Sequence, residues 1–245
     1  MILLFAVALL GCSTDAPVTA SHSPVDNPTL AGAMAPNLSE DGEGALLTWL
    51  EPSALPDGHR LRISRFSSTS FQSAETIVSD VDFFVNWADV PSVARANNGS
   101  LIAHWAEKSG TDTYAYDVAL GYSQNGIDWT TIGAAHTDKT KTEHGFVSLA
   151  PDSLGGVRAI WLDGREMAEK GPMTLRTARI DKGLHDEQVL DLRTCECCGT
   201  DMVMTTQGPL VAFRDRELDE ERNIGIIRKT ETGWTKSTAV HQDGW

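Results

Sequence analysis

The chain has 245 residues, a formal charge of −14 and 41% hydrophobic residues. That is long enough for a substantial buried core, with the composition of an ordinary globular domain. The acidic balance, with no basic stripe, excludes nucleic-acid partners and electrostatic binding to an anionic membrane surface.

Residues 2–10 form an unbroken apolar run, too short to span a bilayer as a helix. They read as the core of an export signal, although the usual basic leader is missing. The run ends in Leu9-Leu10-Gly11-Cys12, which resembles the lipobox of bacterial lipoproteins. The resemblance makes Cys12 the lipidated first residue of the mature chain, and Ser13 after it implies sorting to the outer membrane. The alternative is a plain signal peptide with an incidental cysteine. Residues 13–31 are rich in Ser, Thr, Pro and Asp without apolar period, and read as a tether. The expected location is therefore the cell envelope, facing the periplasm or the exterior, with membrane contact only through the lipid.

From residue 32 onward one pattern recurs four times. Gly44-Ala-Leu-Leu-Thr-Trp49 is echoed by Gly99-Ser-Leu-Ile-Ala-His-Trp105, Gly156-Val-Arg-Ala-Ile-Trp161 and Gly208-Pro-Leu-Val-Ala-Phe213. An acid follows each aromatic by two residues: Glu51, Glu107, Asp163 and Asp215. A short apolar run precedes each glycine (MAPNL, DVPSVA, GFVSLA, TDMVMT), and two further runs follow each aromatic. Short β-branched runs punctuated by Gly, Asn, Asp and Ser are strands. Four strands per unit at a period of roughly 50 residues is the pattern of propeller blades. A β-sandwich also has many short strands, but it does not produce four in-phase copies. The blades are expected over about 33–79, 86–136, 143–192 and 199–241, with almost no helix. Trp49, Trp105, Trp161 and Phe213 are expected in second strands, packed on the neighbouring blade.

Tyr122-Ser-Gln-Asn-Gly-Ile-Asp-Trp129 resembles the Asp-box turn of sialidases and BNR-repeat proteins, one residue short and with Asn125 for Asp. Thr230-Glu-Thr-Gly-Trp234 is a shorter echo. Together with the repeats, this makes the chain similar to the sialidase-like propellers over residues 33–245. The resemblance implies an all-β propeller of six blades, of which four are present here, so the chain is expected to be part of a longer one. A closed four-bladed ring is the alternative. The resemblance further implies a glycan ligand and glycoside hydrolase activity of the exo-sialidase type. That chemistry needs three arginines, a tyrosine nucleophile activated by a glutamate, and an aspartate acid. The matching first-blade stretch, Ala35-Pro36-Asn37, has no arginine, and Tyr114, Tyr116 and Tyr122 all fall in the second blade. The family's catalytic set is therefore not recognisable, and only its fold carries over. A non-catalytic scaffold for an envelope protein partner is the rival function.

In a propeller the loops leading into first strands share one face with those joining second to third strands. Here the leading loops are 80–89, 137–145, 193–201 and 241–245. These two sets of loops gather Asp82, Asn86, Trp87, Asp89, Glu143, His144, Asp201, His241 and Asp243, with Asp163, Arg165, Arg214, Asp215 and Arg216 beside them. The best rim candidates are Asp89, His144, Asp163, Arg165, Arg214, Asp215 and Arg216. One of these loops carries Cys195, Cys197 and Cys198 in Arg-Thr-Cys-Glu-Cys-Cys. Exported compartments favour disulfides. With Cys12 lipidated, three thiols remain, and a bridge from this loop to a neighbouring blade is expected. The alternative is a soft metal site of these cysteines with His144 or His241, and a redox thiol is the third reading. No other cofactor is expected.

Overall fold

The computed structural model describes residues 22–241. The expected export signal, Cys12, the first part of the tether and Asp243 lie outside the described residues. The described part is built of four antiparallel sheets. The first contains β1 (Met34–Asp41), β2 (Gly44–Pro52) and β3 (His59–Ser67), with β4 (Ser70–Phe71) and β5 (Glu75–Ser79) both paired to β3. The second runs β6 (Ser92–Arg95), β7 (Leu101–Lys108), β8 (Tyr116–Ser123) and β9 (Trp129–Ala134). The third runs β10 (His144–Pro151), β11 (Val157–Asp163), β12 (Thr174–Ile180) and β13 (Leu184–Asp191). The fourth contains β14 (Asp201–Thr205), β15 (Gly208–Arg214) and β16 (Ile224–Thr230), with β17 (Gly233–Trp234) and β18 (Thr238–His241) paired to β16. A single 3-10 turn, Arg165–Glu169, is the only helical element among the described residues.

First strands stand side by side, β1 by β6, β6 by β10 and β10 by β14. Between them runs a cavity of about 630 Å³, lined by Asn37, Ala94, Leu149 and Met202 among others. This is the channel of a propeller, and the sheets are its blades.

Each seam between consecutive blades has its own core. Leu50, Leu61 and Ile63 of blade one meet Val93, Ala103 and Trp105 of blade two. Ile102, Val118 and Leu120 of blade two meet Trp161 and Ile180 of blade three. Ile160, Leu162 and Leu175 of blade three meet Val211 and Phe213 of blade four. Of the four expected aromatics, Trp105, Trp161 and Phe213 thus pack on the preceding blade. Burying such a ring contributes a few kcal/mol, roughly, by area.

The acid two residues on has a cause. Residues i and i+2 of a strand share a face, so the carboxylate lies beside the indole and accepts its N–H. Trp49 Nε1 donates to Glu51 at 2.9 Å, Trp105 to Glu107 at 3.1 Å and Trp161 to Asp163 at 2.7 Å. Phe213 has no such donor, and Asp215 accepts the Ser237 hydroxyl at 3.1 Å instead.

The Asp-box-like turn is closed by its own side chains. Ser123 Oγ accepts from the amides of Asn125 and Gly126, and Asn125 Oδ1 accepts from those of Ile127 and Asp128. Trp129 Nε1 donates to the Gly126 carbonyl at 3.2 Å.

Candidate functional site

Three groups of polar residues gather on the face that holds the leading loops. The first lies at the mouth of the channel. Asp89 ends the loop into blade two, Tyr116 begins β8, and Glu143 precedes β10. Glu143 is pinned from both sides, since its carbonyl accepts the Gly164 amide and the adjacent Thr142 carbonyl accepts the Tyr116 amide. The Tyr116 hydroxyl donates to Glu143 Oε1 at 3.0 Å. Asp89 is 7% exposed and Tyr116 1%, whereas Glu143 is half-buried. Gly145 sits against both buried groups, and a methyl at its Cα would collide with Asp89 Oδ2 and approach the Tyr116 ring and hydroxyl at 2.8 Å.

The protons at this cluster can be counted. Tyr116 has one hydroxyl hydrogen, and it goes to Glu143. Asp89 Oδ2 is left with no hydrogen-bond partner. A buried carboxylate oxygen without a donor is costly unless the group holds its proton. Burial, opposed by the nearby amides of Phe146 and Val147 and by Tyr116, pushes Asp89 up to about 6. Burial also raises Glu143, aided by the charges of Asp89 and Glu196 and opposed by the Tyr116 hydrogen bond. Burial and both carboxylates keep the Tyr116 phenol protonated. Phe84 stacks on Tyr116 with centroids 4.2 Å apart and meets Tyr114 edge-on, and on the same loop Trp87 is 93% exposed.

The second group ties blades two and three. The rings of His136 and His144 stack in parallel, 3.9 Å apart and 6° off plane. Asp138 lies 2.9 Å from His136 Nδ1 and 3.4 Å from His144 Nε2. Asp163 is gripped by Arg165 through two 2.7 Å bonds, and Arg165 also reaches Glu187 at 2.7 Å and Asp138 at 3.3 Å. Burial depresses His136, and the neighbouring His144 adds to it. Burial acts to raise Asp138, but the Thr140 hydroxyl and the two histidines outweigh it and hold the carboxyl at about 2. Lone pairs lie in ring planes, so stacked imidazoles do not converge on one ion. The group has the geometry of a buried clamp, with His144 and Asp163 inaccessible to solvent.

The third group is the cysteine loop. Cys195 is bridged to Cys198, and Cys197 is free and exposed. The bridge is local rather than the expected clasp to a neighbouring blade, because Cys195-Glu-Cys-Cys198 spans the short loop that a three-residue separation can close, with Cα atoms 5.6 Å apart. Arg216 pairs with Glu196 and, at 2.8 Å, with Glu220. Arg214 and Asp215 act through β15: the Arg214 carbonyl accepts the Cys195 amide and the Thr194 hydroxyl, and the Asp215 amide donates to Asn223.

Of the seven rim candidates, then, the structure puts Asp89 at the channel mouth, His144, Asp163 and Arg165 in the buried clamp, and Arg214, Asp215 and Arg216 behind the cysteine loop. His241, at the end of β18, is exposed, and no histidine joins the three cysteine sulfurs among the described residues. Tyr116, His136, Asp138, Glu187 and Glu196 were not among the candidates. On sequence, Tyr116 is weighed only as a sialidase-type nucleophile and set aside for its place in the second blade; it begins β8. Glu196 lies between Cys195 and Cys197 on the cysteine loop.

No protein-family model and no curated protein sequence matches the chain. Solved structures do. An α-L-arabinofuranosidase from Lactobacillus brevis superposes with a TM-score of 0.56 at 15% identity, over 86% of this chain and 74% of that one. A β-1,2-mannobiose phosphorylase from Listeria innocua, solved with β-1,2-mannobiose, gives 0.51 at 12% identity, over 85% and 75%. An endo-arabinase from Bacteroides thetaiotaomicron gives 0.51 at 14% identity, over 86% and 82%. The likeness is one of fold: these chains share the propeller architecture.

Proposed function

We propose that the protein is a glycan-active propeller whose ligand meets the mouth of the channel, with Glu143 as the proton donor. The observation that carries this is the pairing of environments. Glu143 is pushed towards its protonated form and is only half-buried. Glu196, on the next leading loop, is close enough to act on it by charge and is held as an ion pair by Arg216. A carboxyl raised by burial beside a second carboxylate that is ion-paired is an arrangement that can divide acid and base roles in glycoside hydrolysis. Glu143 gives its proton to the leaving oxygen, while Glu196 faces the sugar as the anionic partner. Tyr116 and Asp89 are positioning residues: the phenol fixes the Glu143 rotamer and the buried Asp89 biases its charge. Exposed Trp87 and Tyr114 offer flat apolar surfaces on the same rim for sugar rings.

The fold neighbours, which include an arabinofuranosidase and a mannobiose phosphorylase, support a saccharide as ligand. The finer, sialidase-like reading rests on the Asp-box-like turn. It meets its residue types in the Tyr116–Glu143 pair, but a phenol 1% exposed does not reach an anomeric carbon, so Glu143 carries the chemistry. The lipobox-like Cys12 supports a place in the envelope, where extracytoplasmic glycans are met.

The test is a panel of arabinosides, mannosides and sialosides offered to the full-length protein and to Glu143→Gln. Turnover by the wild type, lost in the variant while ligand binding persists, is expected. Binding without turnover in both would leave a glycan-binding scaffold, and neither binding nor turnover would end the proposal.

A further inference from the structure

The cysteine loop is not used by the chemistry above. We propose that, once its disulfide is reduced, it is a three-thiolate site for a cuprous ion. The sulfurs of Cys195, Cys197 and Cys198 all lie within 4.8 Å of one another. A trigonal ion with metal–sulfur bonds of about 2.3 Å needs sulfurs about 4 Å apart. The Cys195 and Cys198 sulfurs, bonded to each other in the disulfide, open to that span by side-chain rotation on reduction, with Cys195 buried at the base of the loop and Cys197 at its exposed rim.

The donor set selects the metal. No histidine or carboxylate stands with these sulfurs among the described residues. Zinc in a structural site takes four ligands, whereas soft thiolates favour monovalent copper. Charge fits as well: one cuprous ion on three thiolates leaves a net −2, and the Arg222 guanidinium lies 3.9 Å from Cys195 Sγ.

The loop does not depend on its disulfide for its position. The Cys195 amide donates to the Arg214 carbonyl at 3.0 Å, the Thr194 amide to the Met173 carbonyl at 3.0 Å, and Arg216 pairs with Glu196. Reduction therefore frees two sulfurs without releasing the backbone. The balance is simple. A dithiol reduces the Cys195–Cys198 bond and leaves as its own disulfide, giving two thiols. The cuprous ion then displaces three protons from three thiols. The oxidised loop offers Cys197 alone, so uptake is gated by redox state.

The experiment uses the full-length protein and Cys197→Ser, which leaves the Cys195–Cys198 pair intact. Both are reduced with a phosphine and titrated with cuprous ion against a chromogenic chelator, while circular dichroism follows the fold. One ion per reduced wild-type chain is expected, with three sulfur neighbours by X-ray absorption. Affinity should fall by about 100-fold or more in Cys197→Ser, since even outer-shell changes around metal sites cost up to that much. The oxidised protein should take up none in the competition. Cys12 is common to both proteins and cancels in the comparison. Equal affinity in the variant, equal uptake by the oxidised chain, or zinc bound with cuprous ion refused would each overturn the proposal. None of these readouts involves a glycan, so this result and that of the glycan panel stand apart.

Discussion

Asp89 concentrates the chemistry of the channel mouth in one side chain. Its folded value of about 6 lies above the ordinary 3.8 because burial disfavours the anion. Between those values the native state holds a proton that the unfolded chain releases. Stability from this group is therefore complete below pH 4 and is lost as pH rises through 6. Asp89→Asn removes the titration, with Tyr116, Glu143 and Glu196 left in place. The variant's stability relative to wild type should rise by about 3 kcal/mol between pH 4 and pH 7, measured by urea denaturation at each pH. A constant difference across that range would show that Asp89 does not carry its proton there. Gly145 is the backbone counterpart. Gly145→Ala should cost about 3 kcal/mol or more, because the new methyl meets two buried groups that have no room to move. An unchanged melting temperature would contradict the packing described here.

At the scale of the strand, the aromatic-x-acid pattern is a donor and acceptor placed on one face by the two-residue repeat. Trp161→Phe keeps the ring but removes the indole's hydrogen bond to the buried, charged Asp163, which Arg165 still holds, and should cost about 1–3 kcal/mol. Trp105→Phe acts at the less buried Glu107 and should cost about 1 kcal/mol or less. Thermal unfolding of the two variants tests the order, and a larger loss at Trp105 would refute it. The same pattern explains what could be read without coordinates. Strand runs announce themselves locally, by alternation and by Gly and Asn at the turns, so the blades were legible from the repeats. The Tyr116–Glu143 bond joins residues 27 apart and the His136–His144 stack joins the end of one blade to the start of the next. Such pairings depend on which loop leans on which strand, and no local period encodes that. Cys195–Cys198 is a different case: its three-residue spacing was in plain view, but the odd count of three thiols pointed to a partner on a neighbouring blade.

For the molecule as a whole, stability resides in seams. Three apolar cores join four blades, so a cavity in one seam should weaken that junction without dissolving the sheets beside it. Ile160→Ala, in the seam of blades three and four, should cost about 2–5 kcal/mol. Hydrogen exchange should speed up in β10–β12 and β14–β16 while β7 stays protected. Uniform loss of protection would instead mark the four blades as a single cooperative unit.

The bonded indoles of Trp105 and Trp161 have a use beyond cohesion. Each lies in a different seam, fully buried, with a carboxylate at its nitrogen. Emission from such a ring shifts to longer wavelength when water replaces the acid. The difference in emission between the wild type and a variant with either ring replaced by phenylalanine isolates that ring's junction from the other tryptophans, so the order in which neighbouring blades part can be timed by light.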